Sequence, residues 1–313
     1  MGACVTSAVE IWRGGVNTWE CDEMGHMNVR FYISRFMEGL AGLALRLGLP
    51  EAFSARSTAT LIVRDHHLRF LREAHAGAAL HMTGGVIELG ETDALVLQVL
   101  IHTRTGEPCA TALTRVSHSA PTGRDFPWPA RTRAAAAALR VEIPSFAAPR
   151  SIGSAPVEPS ASLEAADRLG VGCAARGAVA PSDCDAFGRM RPEVFIGRVS
   201  DGVPGLLSSV RQAVTAAAGD TVRRVGGAVL EYRLIYLAWP MAGEHLELRS
   251  GLRGFDDKTQ RMIHWLLDPV SGRPWGVSEA VAVNLDLDAR KIISIPPAVR
   301  EALAAHVTEG LTL

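Results

Sequence analysis

The chain has 313 residues, 48% of them hydrophobic and 21% charged, with a net charge of −1. That balance carries no nucleic-acid footprint, and no apolar run approaches the ~20 residues of a membrane-spanning helix. The five cysteines make no C-x-x-C pair and no Cys/His ligand spacing, so a reduced, cytoplasmic chain is expected, with no structural disulfide, cofactor or metal.

The N-terminus lacks a basic region followed by an apolar core, so no secretory signal is expected. Met1-Gly2-Ala3-Cys4-Val5-Thr6 fits the loose pattern for myristoylation. Against it, only Lys258 and Lys291 are lysines among 32 basic residues, a bias typical of GC-rich bacterial genomes.

A strand is expected at about 7–18, followed by the acidic phrase Glu20-Cys21-Asp22-Glu23-Met24-Gly25-His26-Met27-Asn28. Ile33, Phe36, Met37, Leu40, Leu43, Ala44 and Leu47 then recur at three- and four-residue steps, the stripe of an amphipathic helix. Strands follow at about 59–72, 79–89, 93–103 and 109–119, with turns at Gly90-Glu91-Thr92-Asp93 and Arg104-Thr105-Gly106-Glu107. Residues 120–160 are rich in Pro, Ala and Ser and form a connector with a helix at 131–140.

The same order then returns. A strand at about 171–182 leads into Asp183-Cys184-Asp185-Ala186-Phe187-Gly188-Arg189-Met190-Arg191, at a constant shift of 163 from the first phrase (Asp22 to Asp185, Gly25 to Gly188). Phe195, Ile196, Val199, Val203, Leu206, Leu207, Val210 and Val214 repeat the helical stripe, with Pro204 expected to kink it. Strands are expected at about 222–237, 245–255, 259–269 and 275–286, where the shift becomes 166 (Leu68 to Leu234, Gly77 to Gly243, Gly106 to Gly272). The tail from Arg290 to Ala305 resembles the start of the connector. So long a period exceeds a solenoid repeat and indicates duplication of a whole domain. The boundaries expected are 1–125, a connector at 126–165, and 166–313. Each half is α+β, one helix lying across a curved, mostly antiparallel sheet.

Strand, D-x-D-x-x-G-H-x-N turn, long helix and four strands together resemble the hot-dog fold. The phrase resembles the signature of its 4-hydroxybenzoyl-CoA thioesterase-like branch, D-x-D-x-x-G-H-V-N-N-x-x-Y, through Asp22, Gly25, His26, Asn28 and Tyr32. Glu20 and Val29 depart from it, as do Arg189, Arg191 and Phe195 in the second copy. Two tandem units are similar to the arrangement of plant acyl-ACP thioesterases. The resemblance implies an intrachain pseudo-dimer, with further dimerisation left open, that hydrolyses acyl-CoA or acyl carrier protein thioesters. It also implies an acyl-pantetheine groove between the halves, with both long helices lining an acyl tunnel. Arg64, Arg69 and Arg72 are candidates for contacts to CoA phosphates.

Thioester hydrolysis needs a nucleophile or base near the carbonyl carbon and donors for the developing oxyanion. The resemblance implies that Asp22 is that nucleophile or general base, and the residues do not separate the two mechanisms. The open amides at the helix start, around Asn28 and Val29, are the expected oxyanion donors, and Gly25 permits the tight turn. His26 can orient the carboxylate, share its proton or hold water, and Asn28 can position water or cap the helix. An Asp in this place is also a common N-cap. His66 and His67 alternate along one strand, so one of them should face the helix. Asp185 keeps the carboxylate of the second copy, but Arg189 there can pair with it and occupy its oxygens, so one working site and one altered twin are expected. The other readings are a non-catalytic acyl-thioester binding protein and an enoyl-thioester hydratase or dehydratase.

Overall fold

The computed structural model describes residues 8–206 and 225–313. The Met1–Thr6 lipidation pattern, the second helical stripe at Leu207, Val210 and Val214, and the strand start at 222–224 lie outside the described residues. Two compact units divide the chain, one holding Met1–Pro149 with Cys184–Val194, the other Arg150–Asp183 with Phe195–Leu313.

In the first unit, β1 (Val9–Gly15) runs into a 3-10 turn at Thr18–Glu20, and α1 covers Val29–Arg46. Four strands follow: β2 (Thr60–Phe70), β3 (Ala79–Leu89), β4 (Asp93–His102) and β5 (Pro108–Ser119). They form an antiparallel sheet in the order β1-β3-β4-β5-β2.

The helix stripe read from the sequence is the core. Ile33, Phe36, Leu40 and Leu43 are at most 1% exposed, each contributing about 1.5–3 kcal/mol of hydrophobic stabilisation. The helix lies on β1, β3 and β4. It comes so close to β1 that a Cβ at Gly42 would collide with the Ile11 carbonyl. It ends at Gly48 with φ of 76°, the Leu49 amide reaching back to the Ala44 carbonyl at 2.9 Å, a glycine-terminated cap.

The connector is more than a linker. Its helix α2 (Ala130–Ala138) is followed by a short parallel bridge in which Val86 donates to Leu139 at 2.9 Å and Val141 donates to Val86 at 3.0 Å. Val141 and Ala147 thereby cover Leu97, Val99 and Leu113 on the sheet face away from α1.

The second unit repeats this plan. It holds α3 (Leu163–Arg168), β6 (Gly172–Ala178), a 3-10 turn at Pro181–Asp183 and, from Phe195 on, α4 (Pro192–Leu206), a helix that runs through Pro204. Strands β7 (Val225–Tyr236), β8 (His245–Phe255), β9 (Thr259–Leu267) and β10 (Pro274–Asp286) follow. The order is β6-β8-β9-β10-β7, with β11 (Lys291–Ile293) on β10, and α5 covers Pro297–Ala304. Leu252 bridges Val307 as Val86 bridges Arg140, so the tail occupies its sheet as the connector occupies the first. Ala165, Ala166, Leu311 and Leu313 pack on Ile263, Trp265 and Val277 there. Among the described residues no helix is long and apolar enough to cross a membrane.

Covering both faces of a sheet changes the fate of its polar residues. His66 pairs with Thr114, whose hydroxyl donates to Gln98 at 3.0 Å while Gln98 donates to the Phe36 carbonyl at 2.7 Å. His66 therefore faces α1 as expected. His67, opposite Leu113, faces the connector and is buried as well.

Burial pushes the His66 pKa down to about 3. The unfolded chain then takes up a proton near the ordinary imidazole pKa of about 6.5 that the folded chain refuses, so stability is full above that pH and is lost as pH falls toward about 3. Replacing His66 by Gln should reduce the acid dependence of unfolding free energy by about one proton, about 1.4 kcal/mol per pH unit, between those limits. Urea melts of both proteins from pH 7 to 4 measure it, and parallel pH profiles would contradict it.

Candidate functional site

The two acidic phrases fold into the same loop. Asp22 donates its amide to the His26 carbonyl at 2.8 Å, and Asp185 does the same to Arg189 at 2.7 Å. Main-chain bridges Cys21–Met27 and Cys184–Met190 close them. Gly25 and Gly188 turn each loop at φ of 80° and 81°, a left-handed conformation that costs glycine nothing.

One carboxylate oxygen in each loop is structural. Asp22 Oδ1 accepts the amides of Met24 at 2.9 Å and His26 at 3.1 Å. Asp185 Oδ1 accepts those of Phe187 at 2.8 Å and Arg189 at 3.0 Å. The loops differ at the other oxygen. Asp185 Oδ2 is gripped by Arg189 through Nε at 3.0 Å and Nη2 at 2.8 Å, a two-point, charge-assisted clamp. Arg189 is itself buried, with its guanidinium over the Phe187 ring at 4.9 Å. At Asp22 both amide bonds fall on Oδ1, and among the described residues this leaves Oδ2 as the oxygen on offer to a reacting group.

The start of α1 narrows the expected oxyanion donors. Asn28, not Asp22, is the N-cap, its Oδ1 accepting the Arg30 amide at 3.0 Å. The Asn28 amide is already committed to the Glu20 carbonyl at 2.8 Å. The loop doubles back on its own entry, and this removes Asn28 from the expected amide pair. Val29 supplies the first helical amide, one of those a helix leaves without an internal partner.

His26 serves Asp22 through its backbone, while its buried ring turns elsewhere. His26 Nε2 lies 3.4 Å from Glu73 Oε1, and the ring meets His75 edge-on with centroids 5.1 Å apart. Glu73 and His75 sit in the segment between β2 and β3, which is fastened to the motif loop by the Met27 amide on the Ala74 carbonyl at 2.7 Å. Sequence reasoning missed both residues. The duplication held a signal for them, because the shift of 166 sets Trp239 and Met241 opposite Glu73 and His75, just where Arg189 replaces His26.

Glu20, an exception to the motif, is also explained. It is buried against Arg35 of α1, and its Oε2 accepts the Asn17 amide at 2.8 Å. Arg35 continues to Glu38 at 2.6 Å and lies over the Trp12 ring. In the second unit the corresponding pair, Arg198 and Asp183, stands at 3.8 Å. The three arginines expected to meet phosphates are occupied at home. Arg64 bonds Ser117 and Asp125, Arg69 donates to the Ala148 carbonyl at 2.7 Å, and Arg72 pairs with Glu107 at 2.7 Å.

The sequence profile of the thioesterase-like superfamily matches residues 16–145 and 179–303. A search of curated protein sequences finds no match. Among solved structures, the 12:0-ACP thioesterase from Umbellularia californica superposes with a TM-score of 0.66 at 10% identity, covering 88% of this chain and 94% of that one. An oleoyl thioesterase (putative) from Lactobacillus plantarum gives 0.66 at 11% identity, covering 90% and 98%. An acyl-ACP thioesterase from Bacteroides thetaiotaomicron gives 0.63 at 10%, covering 88% and 98%. At such identities the likeness establishes the fold.

Proposed function

We propose that this chain, which belongs to the thioesterase-like superfamily and is a thioester hydrolase, carries two tandem hot-dog units of which only the first works as a catalyst. The observation that carries this reading is the state of the two equivalent carboxylates: Asp185 Oδ2 is clamped by Arg189, and Asp22 Oδ2 is not. In this proposal Asp22 Oδ2 either attacks the thioester carbonyl carbon or takes the proton from a water that does. In both routes the carbonyl oxygen gains negative charge, which the Val29 amide and the positive end of α1 stabilise, and the C–S bond breaks. The thiolate takes the proton that Asp22 removed from water or one from solvent. In the covalent route a water then hydrolyses the acyl–Asp22 anhydride to free the acid and the carboxylate. His26 is a positioning residue, holding Asp22 Oδ1 through its amide. Asn28 caps the helix that presents Val29, Gly25 gives the loop its turn, and Asp185 is the altered twin.

The substrate class proposed is an acyl thioester of CoA or acyl carrier protein. A panel of both carriers, with alkyl chains of several lengths and aryl groups, assayed for free thiol, tests it. Thiol release from some members is the expected result. Saturable binding without release would replace the reading by a binding module, and addition of water to an enoyl thioester would replace it by a hydratase.

A further inference from the structure

Three side chains of the first unit converge beside the motif loop. One ligand-capable atom from each of His26, Glu73 and His75 lies within 4.8 Å of the other two. His26 Nε2 stands 3.4 Å from Glu73 Oε1, and His75 Nε2 stands 3.5 Å from Glu73 Oε2. These gaps exceed the ~2.7–2.9 Å of a charge-assisted hydrogen bond. They match the edge of a metal coordination tetrahedron, since two ligands held ~2.0–2.2 Å from one zinc ion stand about 3.4 Å apart.

The hydrogen bonding of His75 points the same way. Its Nδ1 is 3.1 Å from the Gly25 carbonyl oxygen. A carbonyl only accepts, so Nδ1 carries the proton. Nε2 is then the ring atom that faces the carboxylate of Glu73 at 3.5 Å, the atom an imidazole offers to a metal ion. A histidine whose far N–H is spent on a backbone carbonyl is also how metal-binding imidazoles are oriented.

We propose that His26, Glu73 and His75 form a site for a divalent first-row transition metal ion of the zinc type, with two imidazoles, one carboxylate and a further position open to water. The ion ties the motif loop to the segment between β2 and β3. The His75 side chain is 51% exposed, which provides an entry path. The second copy of the repeat offers no such set, because Arg189, Trp239 and Met241 stand at the equivalent positions. The sequence shows no metal spacing, since the ligands meet only through the tertiary contact of two loops. This site does not depend on Asp22 hydrolysing a thioester, and its test reads binding rather than turnover.

Protein stripped with a chelator is titrated with zinc chloride by calorimetry, and with Co²⁺ by visible absorption. One ion per chain, the intense bands of four-coordinate Co²⁺, and a Tm that rises with zinc are the expected results. Glu73→Gln and His75→Gln should each weaken binding at least ~10-fold and remove the rise in Tm. His81→Gln, on β3 beside Thr103, should leave all three readouts unchanged. Circular dichroism of every variant keeps loss of fold apart from loss of a ligand. Absence of saturable binding to the wild type, binding unchanged in both ligand variants, or equal weakening in His81→Gln would overturn the site.

Discussion

Asp22→Asn should lower kcat for thiol release by ~10²–10⁴-fold, the range carried by a positioned acid–base or nucleophilic group, while the protein melts as the wild type does. The substitution separates chemistry from structure because asparagine keeps an oxygen at Oδ1. That oxygen can still accept the Met24 and His26 amides that shape the loop. What it loses is the charge and basicity of the second oxygen. A kcat within threefold of wild type would remove Asp22 from the chemistry, and a large fall in Tm would make the loss structural.

Arg35→Met should destabilise the fold by about 3 kcal/mol, toward the lower end of what removal of one partner of a buried ion pair costs. Methionine retains the apolar stem beside Trp12 but leaves the Glu20 carboxylate, 5% exposed, without its counter-charge. The surviving bond from the Asn17 amide keeps the cost from being higher. Since the Glu20 carbonyl also holds the Asn28 amide, this pair seats the motif loop on α1. Adding Glu20→Gln to Arg35→Met should recover part of the loss. Urea unfolding at constant m measures it, and a change below 1 kcal/mol would rank the pair with exposed surface ion pairs.

Periodicity and punctuation made much of the fold legible. The stripe Ile33, Phe36, Leu40, Leu43 shows at three- and four-residue steps, and the equivalent glycines at 106 and 272 both adopt positive φ at their turns, 71° and 76°. The unequal pair His26 and Arg189 was visible because the duplication supplies its own comparison. Other parts depend on long-range packing that leaves no local pattern. Glu73 and His75 lie in an aperiodic segment and reach His26 only when that segment docks on the motif loop. The Asn28 amide reads as open when the helix start is considered alone, and is closed by the Glu20 carbonyl eight residues earlier. The connector reads as a linker by composition, yet Val141 and Ala147 cover Leu97, Val99 and Leu113 on one sheet face.

The central claim is that two loops of the same shape are unequal because Arg189 fills the carboxylate oxygen that Asp22 leaves available. The most direct measurement is kcat/KM for thiol release by Asp185→Asn and Asp22→Asn, prepared and assayed side by side on the best substrate of the thioester panel. The account predicts that Asp185→Asn stays within about threefold of wild type while Asp22→Asn falls by at least ~10². Equal losses in the two variants, or a greater loss at Asp185, would contradict it.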